Sequence, residues 1–267
     1  MTPPVTIPDV LDPARAAALH ATLGRAGPPP EAGDPLPPFY HHVYFWDARP
    51  PAALGRDGHP QPGGDGAVPQ TGLPRRMWAG GRLTFHAPLV AGRAAEKTTR
   101  ADPPVRKEGR SGPLVFVTLH HALRQGGTLC VEEAQDLVYR TDPDPGAPAP
   151  VPVPPRAPEE ADWQVDRRFD TTTLFRYSAL TFNGHRIHYD LDYARRVEGY
   201  GGLVVHGPLL AQLLVLEAEA RLGPLSAFRF RAMAPLLHSE AATLAGRGAD
   251  LWAAGPDARL LMQAEAE

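Results

Sequence analysis

Residues 206–222 read HGPLLAQLLVLEAEARL, and Gly223-Pro224 follows directly. Glycine and proline stand at both ends of this stretch, so they bound a helix over 209–222. Leu210, Leu213, Leu214, Leu216, Glu217 and Ala220 leave most faces of that helix apolar. A helix apolar nearly all round belongs inside a protein rather than on its surface. Strand candidates follow at 228–233, 241–245 and 258–264. The reading predicts a buried helix wrapped by antiparallel sheet.

Working outward, the first half offers similar parts. Asp12-Pro13 caps a helix over 14–23 that Gly24 stops. Residues 39–46, FYHHVYFW, form a buried helix or a strand, and periodicity does not choose between them. Glycine and proline dominate 50–70, which reads as a surface loop. Residues 82–87 alternate as a strand, and 114–122 and 128–139 form a hairpin about Arg124-Gln125-Gly126-Gly127. From 141 to 158 proline recurs every second or third residue, which favours an extended spacer rising ~3.1 Å per residue. The economical architecture is α+β, a double hot dog, in which each unit is an antiparallel sheet round a helix. The units are expected at 1–140 and 163–267, with 141–162 as linker.

Bulk properties narrow the function classes. The chain has 267 residues, 43% of them hydrophobic, with a formal net charge of −3. No basic stripe suggests nucleic acid. No apolar run approaches the ~20 residues that span a bilayer, so no membrane association is expected. The start carries Asp9 and Asp12 and lacks the basic and apolar regions of a targeting signal. Cys130 is the single cysteine, which excludes an internal disulfide and points to the cytoplasm.

The chemistry-bearing stretch is RYSALTFNGHRIHYD at 176–190, followed by GGLVVHGPL at 201–209. His185, His188 and His206 crowd here, and histidine exchanges protons near neutral pH. Asn183 offers an amide that orients a water without titrating. Gly207, at the mouth of the apolar helix, leaves room for a carbonyl to approach a helix N-terminus, where an oxyanion is stabilised.

These residues resemble the motif of the hydratase-2, or MaoC-like, family of hot-dog enzymes. Thr181 to His188 (TFNGHRIH) occupies the family's catalytic motif: His188 matches its histidine, and Gly207 the glycine whose amide holds the thioester carbonyl. Asn183 stands where that family has aspartate, His185 where it has asparagine, and Arg186 where it has proline. This altered version is similar to the type-2 hydroxyacyl-thioester dehydratases and to mesaconyl-C4-CoA and itaconyl-CoA hydratases. PRRMWAGGRL (74–83) and KEGRSGPLV (107–115) resemble the same subgroup, and the likeness covers roughly residues 70 to 210.

The resemblance implies reversible hydration of an enoyl thioester, or dehydration of a 3-hydroxyacyl thioester. It points first to a small branched dicarboxylic CoA ester, then to 3-hydroxyacyl-ACP. Asn183 cannot abstract a proton, so in place of a two-residue acid/base scheme a one-residue scheme is inferred: His188 deprotonates water, Asn183 aims that water at C3, and C2 receives a proton; His185 is the rival base. Arg176 and Arg186 are candidates for a substrate carboxylate, and Arg75, Arg76 and Arg82 for CoA phosphates. His206, Trp78, Gly80 and Gly81 are further substrate-binding candidates, with Trp78 to Gly81 either beside the pantetheine arm or in a tight turn before the strand. No cofactor is expected beyond CoA or acyl carrier protein as part of the substrate, and a homodimer is compatible with the reading. No metal site is expected: the pairs His41-His42 and His120-His121, read as strand neighbours, would each turn at most one ligand to a common face. A hot-dog thioesterase and a non-catalytic acyl-thioester-binding module are the competing classes.

Overall fold

In the computed structural model, which describes residues 3–63, 66–109, 112–143 and 153–267, the chain first runs β1 (Val5–Val10), α1 (Pro13–Thr22), β2 (Arg75–Phe85) and β3 (Ala94–Ala101). It continues through β4 (Val105–Gly109), β5 (Gly112–Gln125), β6 (Thr128–Arg140), β7 (Trp163–Arg168), α2 (Thr171–Leu180) and α3 (Leu191–Arg196). It closes with α4 (Gly207–Leu222), β8 (Ala227–Ala232), β9 (Ala241–Arg247), β10 (Asp250–Ala254) and β11 (Leu260–Ala266).

The strands order as β1-β3-β5-β6-β2-β8-β11-β10-β9-β7, with β4 beside β5, and every pairing is antiparallel. The two halves meet edge to edge where β2 pairs with β8, Leu83 opposite Phe228. Helix α4 is buried from Pro208 to Leu216, inside the curl of β8, β9, β10 and β11. The fold is the expected α+β double hot dog. No helix among the described residues is long and apolar enough to cross a membrane.

Local chemistry explains the elements that were legible. Asp12 accepts the Ala14 N–H at 2.9 Å and caps α1, with Pro13 in its first turn. Gly126 and Gly127, both at positive φ, make the two-residue turn between β5 and β6.

Three readings need correction. Residues 39–46 form neither a long helix nor a strand. They make a 3₁₀ turn at Tyr40–Val43, flanked by Phe39 and Phe45 in the left-handed region. Burial of nearly every side chain fixes that conformation, which propensity disfavours. Strand β2 begins at Arg75, not 82, so Trp78 to Gly81 lie within it, at a bulge. Finally, 50–70 is not surface loop throughout: Asp57 is buried and the 55–59 turn packs on residues 184–186. Arg110 and Ser111, quoted in the sequence motif, and residues 144–152 of the proline-rich segment lie outside the described residues.

Candidate active site

Helix α2 delivers the first candidate residue. Its C-terminus is wound by two backbone bonds, Asn183 N–H to Ser178 C=O at 2.8 Å and Phe182 N–H to Ala179 C=O at 3.3 Å. That pattern calls for a left-handed residue, usually glycine; here Phe182 fills it at φ 51. The strain costs about 1–2 kcal/mol. The Phe182 ring stacks on Trp46, centroids 5.2 Å apart. Asn183 then accepts the His185 N–H on its Oδ1 at 3.0 Å, which turns the chain into the short 3₁₀ helix Arg186–His188.

A second loop clamps this one. Gly58 and Gly184 touch so closely that a Cβ on Gly58 would lie 2.0 Å from the Gly184 carbonyl oxygen. The Arg186 N–H donates to the Asp57 carbonyl at 2.9 Å. The contact brings His59 to His185, ring centroids 4.8 Å apart.

The three histidines of the motif converge. His188 donates Nδ1–H to the Val204 carbonyl at 2.7 Å, because a carbonyl can only accept. Its Nε2 therefore keeps the lone pair. Its ring stacks on His206 with centroids 3.6 Å apart and meets His185 edge-on at 5.4 Å. Burial, then the neighbouring His185, pushes the His188 imidazole down to about 3, so it is neutral at pH 7. His206 lies well below its usual value, first through burial and then through His188. His206 Nε2 shares a hydrogen bond with the Ser178 hydroxyl at 2.8 Å.

Behind His185 stands a carboxylate that sequence reading missed. Glu198 Oε1 lies 3.4 Å from His185 Nε2 and accepts the Tyr193 hydroxyl at 3.3 Å. Arg75 holds the other oxygen at 3.0 Å and the Glu198 backbone carbonyl at 3.1 Å. Burial opposes charge on Glu198, but His185 and Arg75 outweigh it and hold the carboxyl below the usual range. No local pattern announces this pairing, since Arg75 and Glu198 are 123 residues apart.

Gly207 opens α4, where the first N–H groups have no acceptor within the helix. A Cβ placed on Gly207 meets nothing within 4 Å. The space beside its Cα is open, and a thioester carbonyl approaching the first N–H groups of the helix would need such room.

The remaining candidates separate. Arg176 sits on an exposed part of α2. Arg186 pairs with Asp190 at 2.7 Å and lies over the Tyr193 ring, so its charge serves the loop. Arg75 is committed to Glu198, and Arg82 to Asp136 at 2.6 Å. Trp78 donates its indole N–H to the Gly80 carbonyl at 2.8 Å and packs near His42 and Phe230. A Cβ on Gly80 would meet the Phe230 carbonyl oxygen at 2.6 Å, and one on Gly81 would meet the Phe230 ring at 2.8 Å. Sheet packing between the halves accounts for both glycines.

Among the described residues two groups of side chains could hold a metal ion, Asp57–His59–His185 and His41–His42–Glu133. The second corrects the strand argument for His41 and His42. On a 3₁₀ turn both reach Glu133, His41 at 3.1 Å and His42 at 3.1 Å. Burial works against the Glu133 charge, and the two histidines outweigh it, holding its carboxyl well below the usual range. The carboxylate thus has partners of its own.

A sequence profile described as hydroxyacyl-thioester dehydratase type 2 matches residues 39–238, three quarters of the chain. The chain belongs to the hydroxyacyl-thioester dehydratase type 2 family. The chain is 44% identical over 261 residues to a protein of Chloroflexus aurantiacus named mesaconyl-C(4)-CoA hydratase, covering 95% of this chain and 91% of the relative. It is 28% identical to the mitochondrial hydroxyacyl-thioester dehydratase type 2 of Schizosaccharomyces pombe, over 75% of this chain and 74% of the relative. Among solved structures, HtdX of Mycobacterium tuberculosis aligns over 98% of this chain and 99% of its own, with TM-score 0.69 and 19% identity. Another Mycobacterium tuberculosis protein, described as having a double hotdog fold, aligns over 99% of this chain and 93% of its own, with TM-score 0.55 and 15% identity. These structural likenesses concern the fold. This family member is a hydratase or dehydratase of acyl thioesters.

Proposed function

We propose that this enzyme hydrates a small branched dicarboxylic enoyl-CoA, mesaconyl-C4-CoA first among them, and works at His188. The observation that carries the site assignment is the His188 geometry. Its Nδ1–H is fixed on Val204, its Nε2 is free, and the open N-terminus of α4 follows directly from the His206 against which it stacks. The 44% identity to a mesaconyl-C(4)-CoA hydratase supports the substrate.

In this reading His188 Nε2 takes a proton from water as the water oxygen bonds to C3. The C2–C3 electron pair moves toward the thioester, and negative charge gathers on its oxygen beside the Gly207 N–H. Burial makes an imidazolium at His188 costly, and that new negative charge offsets the cost as both form together. The proton then passes to C2, which leaves the histidine neutral. Asn183, anchored through its Oδ1, has its amide N–H₂ left to orient the water. Glu198 positions His185, the second histidine near the reacting atoms. No step needs a metal or redox cofactor.

The two units of the enzyme are taken as 1–140 and 163–267, joined by 141–162. The end of β6 at Arg140 and the start of β7 at Trp163 support that division. The single, buried Cys130 supports a cytoplasmic, reducing setting. The test is incubation with mesaconyl-C4-CoA and with crotonyl-CoA, following enoyl absorbance and free thiol. Loss of absorbance without thiol release is the expected result. Thiol release would make the protein a thioesterase, and no change with either ester would make it a binding module.

A further inference from the structure

Beside the catalytic loop lies a cleft of about 290 Å³, lined among others by Asp57, His59, Gln70, Arg76 and Tyr139. Arg76 and Tyr139 are direct cross-strand partners on β2 and β6, so their side chains share a face. The surrounding arginines are committed: Arg75 to Glu198, Arg82 to Asp136, Arg56 to Asp142 and Arg186 to Asp190. The Arg76 guanidinium has no hydrogen-bond or ion-pair partner among the described residues. Opposite it, Tyr139 is 2% exposed and its hydroxyl has no partner either. Asp57 also lines the cleft, but no ion pair joins it to Arg76; its Oδ1 accepts the His59 N–H at 3.1 Å within its own turn.

A guanidinium and a buried hydroxyl left unmet in one cleft make a site for an oxyanion, which both groups can hydrogen-bond. Its place decides which oxyanion. His59, which lines the cleft, has its ring centroid 4.8 Å from that of His185, and His185 meets His188 with centroids 5.4 Å apart. The cleft therefore borders the histidine cluster of the proposed site. The phosphates of CoA lie a whole pantetheine arm from the thioester.

We propose that Arg76 and Tyr139 form the subsite for the free carboxylate at the far end of the acyl group, and so set the preference for a dicarboxylic substrate. This rests on the hydratase reading above, yet it can be tested without turnover, using saturated esters that bind and do not react. Calorimetric dissociation constants are measured for succinyl-CoA, butyryl-CoA and succinyl-pantetheine. Wild type binds succinyl-CoA more tightly than butyryl-CoA. Arg76→Met weakens succinyl-CoA on the order of 10- to 100-fold, the worth of a charge-assisted contact, and leaves butyryl-CoA within about threefold. Tyr139→Phe, which keeps the ring and the packing, weakens succinyl-CoA alone by a smaller factor. Equal affinity of wild type for both CoA esters overturns the proposal. So does an equal loss on both CoA esters with succinyl-pantetheine unaffected, which would assign Arg76 to the carrier's phosphate. Failure of the hydratase reading itself appears separately, as unchanged enoyl absorbance of mesaconyl-C4-CoA with the wild-type enzyme.

Discussion

His188 and His206 lie face to face, ring centroids 3.6 Å apart and planes 21° from parallel. Two imidazoles so placed cannot both carry charge, and burial disfavours charge on either. The stack therefore supplies a neutral His188 for an incoming water. Replacing His188 with Ala is expected to lower turnover by roughly 100- to 10,000-fold, the contribution of one acid–base group. Steady-state kinetics check it. Near-wild-type turnover of His188→Ala together with collapse of His185→Ala would move the base to His185.

Gly207 gives a cleaner test than most site residues. A Cβ there meets no protein atom within 4 Å, so Gly207→Ala folds normally and keeps its melting temperature. The methyl group instead enters the space proposed for the thioester. The expected loss approaches that of one oxyanion donor, about 3 kcal/mol of transition-state stabilisation. Unchanged kcat/KM in Gly207→Ala would remove the helix start from the mechanism.

Asn183→Asp restores the aspartate of the broader family. The Oδ1 that accepts the His185 N–H is retained, so the loop keeps its shape. The substitution removes the amide donor and adds a negative charge near the forming enolate. Turnover falls while the circular dichroism spectrum and melting temperature hold. Equal or faster turnover would show that a carboxylate can work here and that the chain's one-histidine scheme is wrong.

Glu198→Gln leaves the Arg75 guanidinium buried without its counter-charge. Breaking one side of such a pair costs roughly 3–5 kcal/mol. Adding Arg75→Met to Glu198→Gln recovers most of that loss, because the stranded charge goes with it. Urea denaturation of the two variants measures both quantities, and an additive loss in the double variant would contradict the pairing.

Stability should fall on mild acidification. His188 is held at about 3, and His41 and His121 at about 4, each from 6.5. Below pH 6.5 the unfolded chain takes up protons that the native histidines refuse, so each contributes stability that is lost as pH falls. The slope is about 1.4 kcal/mol per pH unit for each histidine until its native value is reached. Glu133 and Glu198, both depressed, add loss in the same direction below 4.5. Melting temperatures from pH 7 to pH 4 read the effect directly, and a flat profile down to pH 5 would contradict it.

What the sequence determined by itself was local. Glycine and proline at the two ends of 206–222, with apolar residues on most faces, specify a buried helix wherever that chain goes. Gly126-Gly127 specifies a tight hairpin, because only glycine accepts both of its dihedrals without strain. The spacing of Asn183, His185 and His188 was legible for the same reason, since a single loop holds all three.

Tertiary structure decided whatever joins distant segments. The pairing of Arg75 with Glu198, 123 residues on, leaves no mark on the neighbours of either residue. Phe182 stands in a left-handed helix cap where the sequence shows no glycine; stacking on Trp46 and the fixed end of α2 hold it there. Residues 39–46 were ambiguous because a continuous aromatic run buries nearly every side chain and leaves no periodicity to read. Strand β3, AAEKTTRA, has few of the β-branched and aromatic residues that announce a strand; pairing with β1 and β5 makes it one. The face a charged side chain presents to the catalytic histidines depends on sheet register, and register is a property of the assembled sheet.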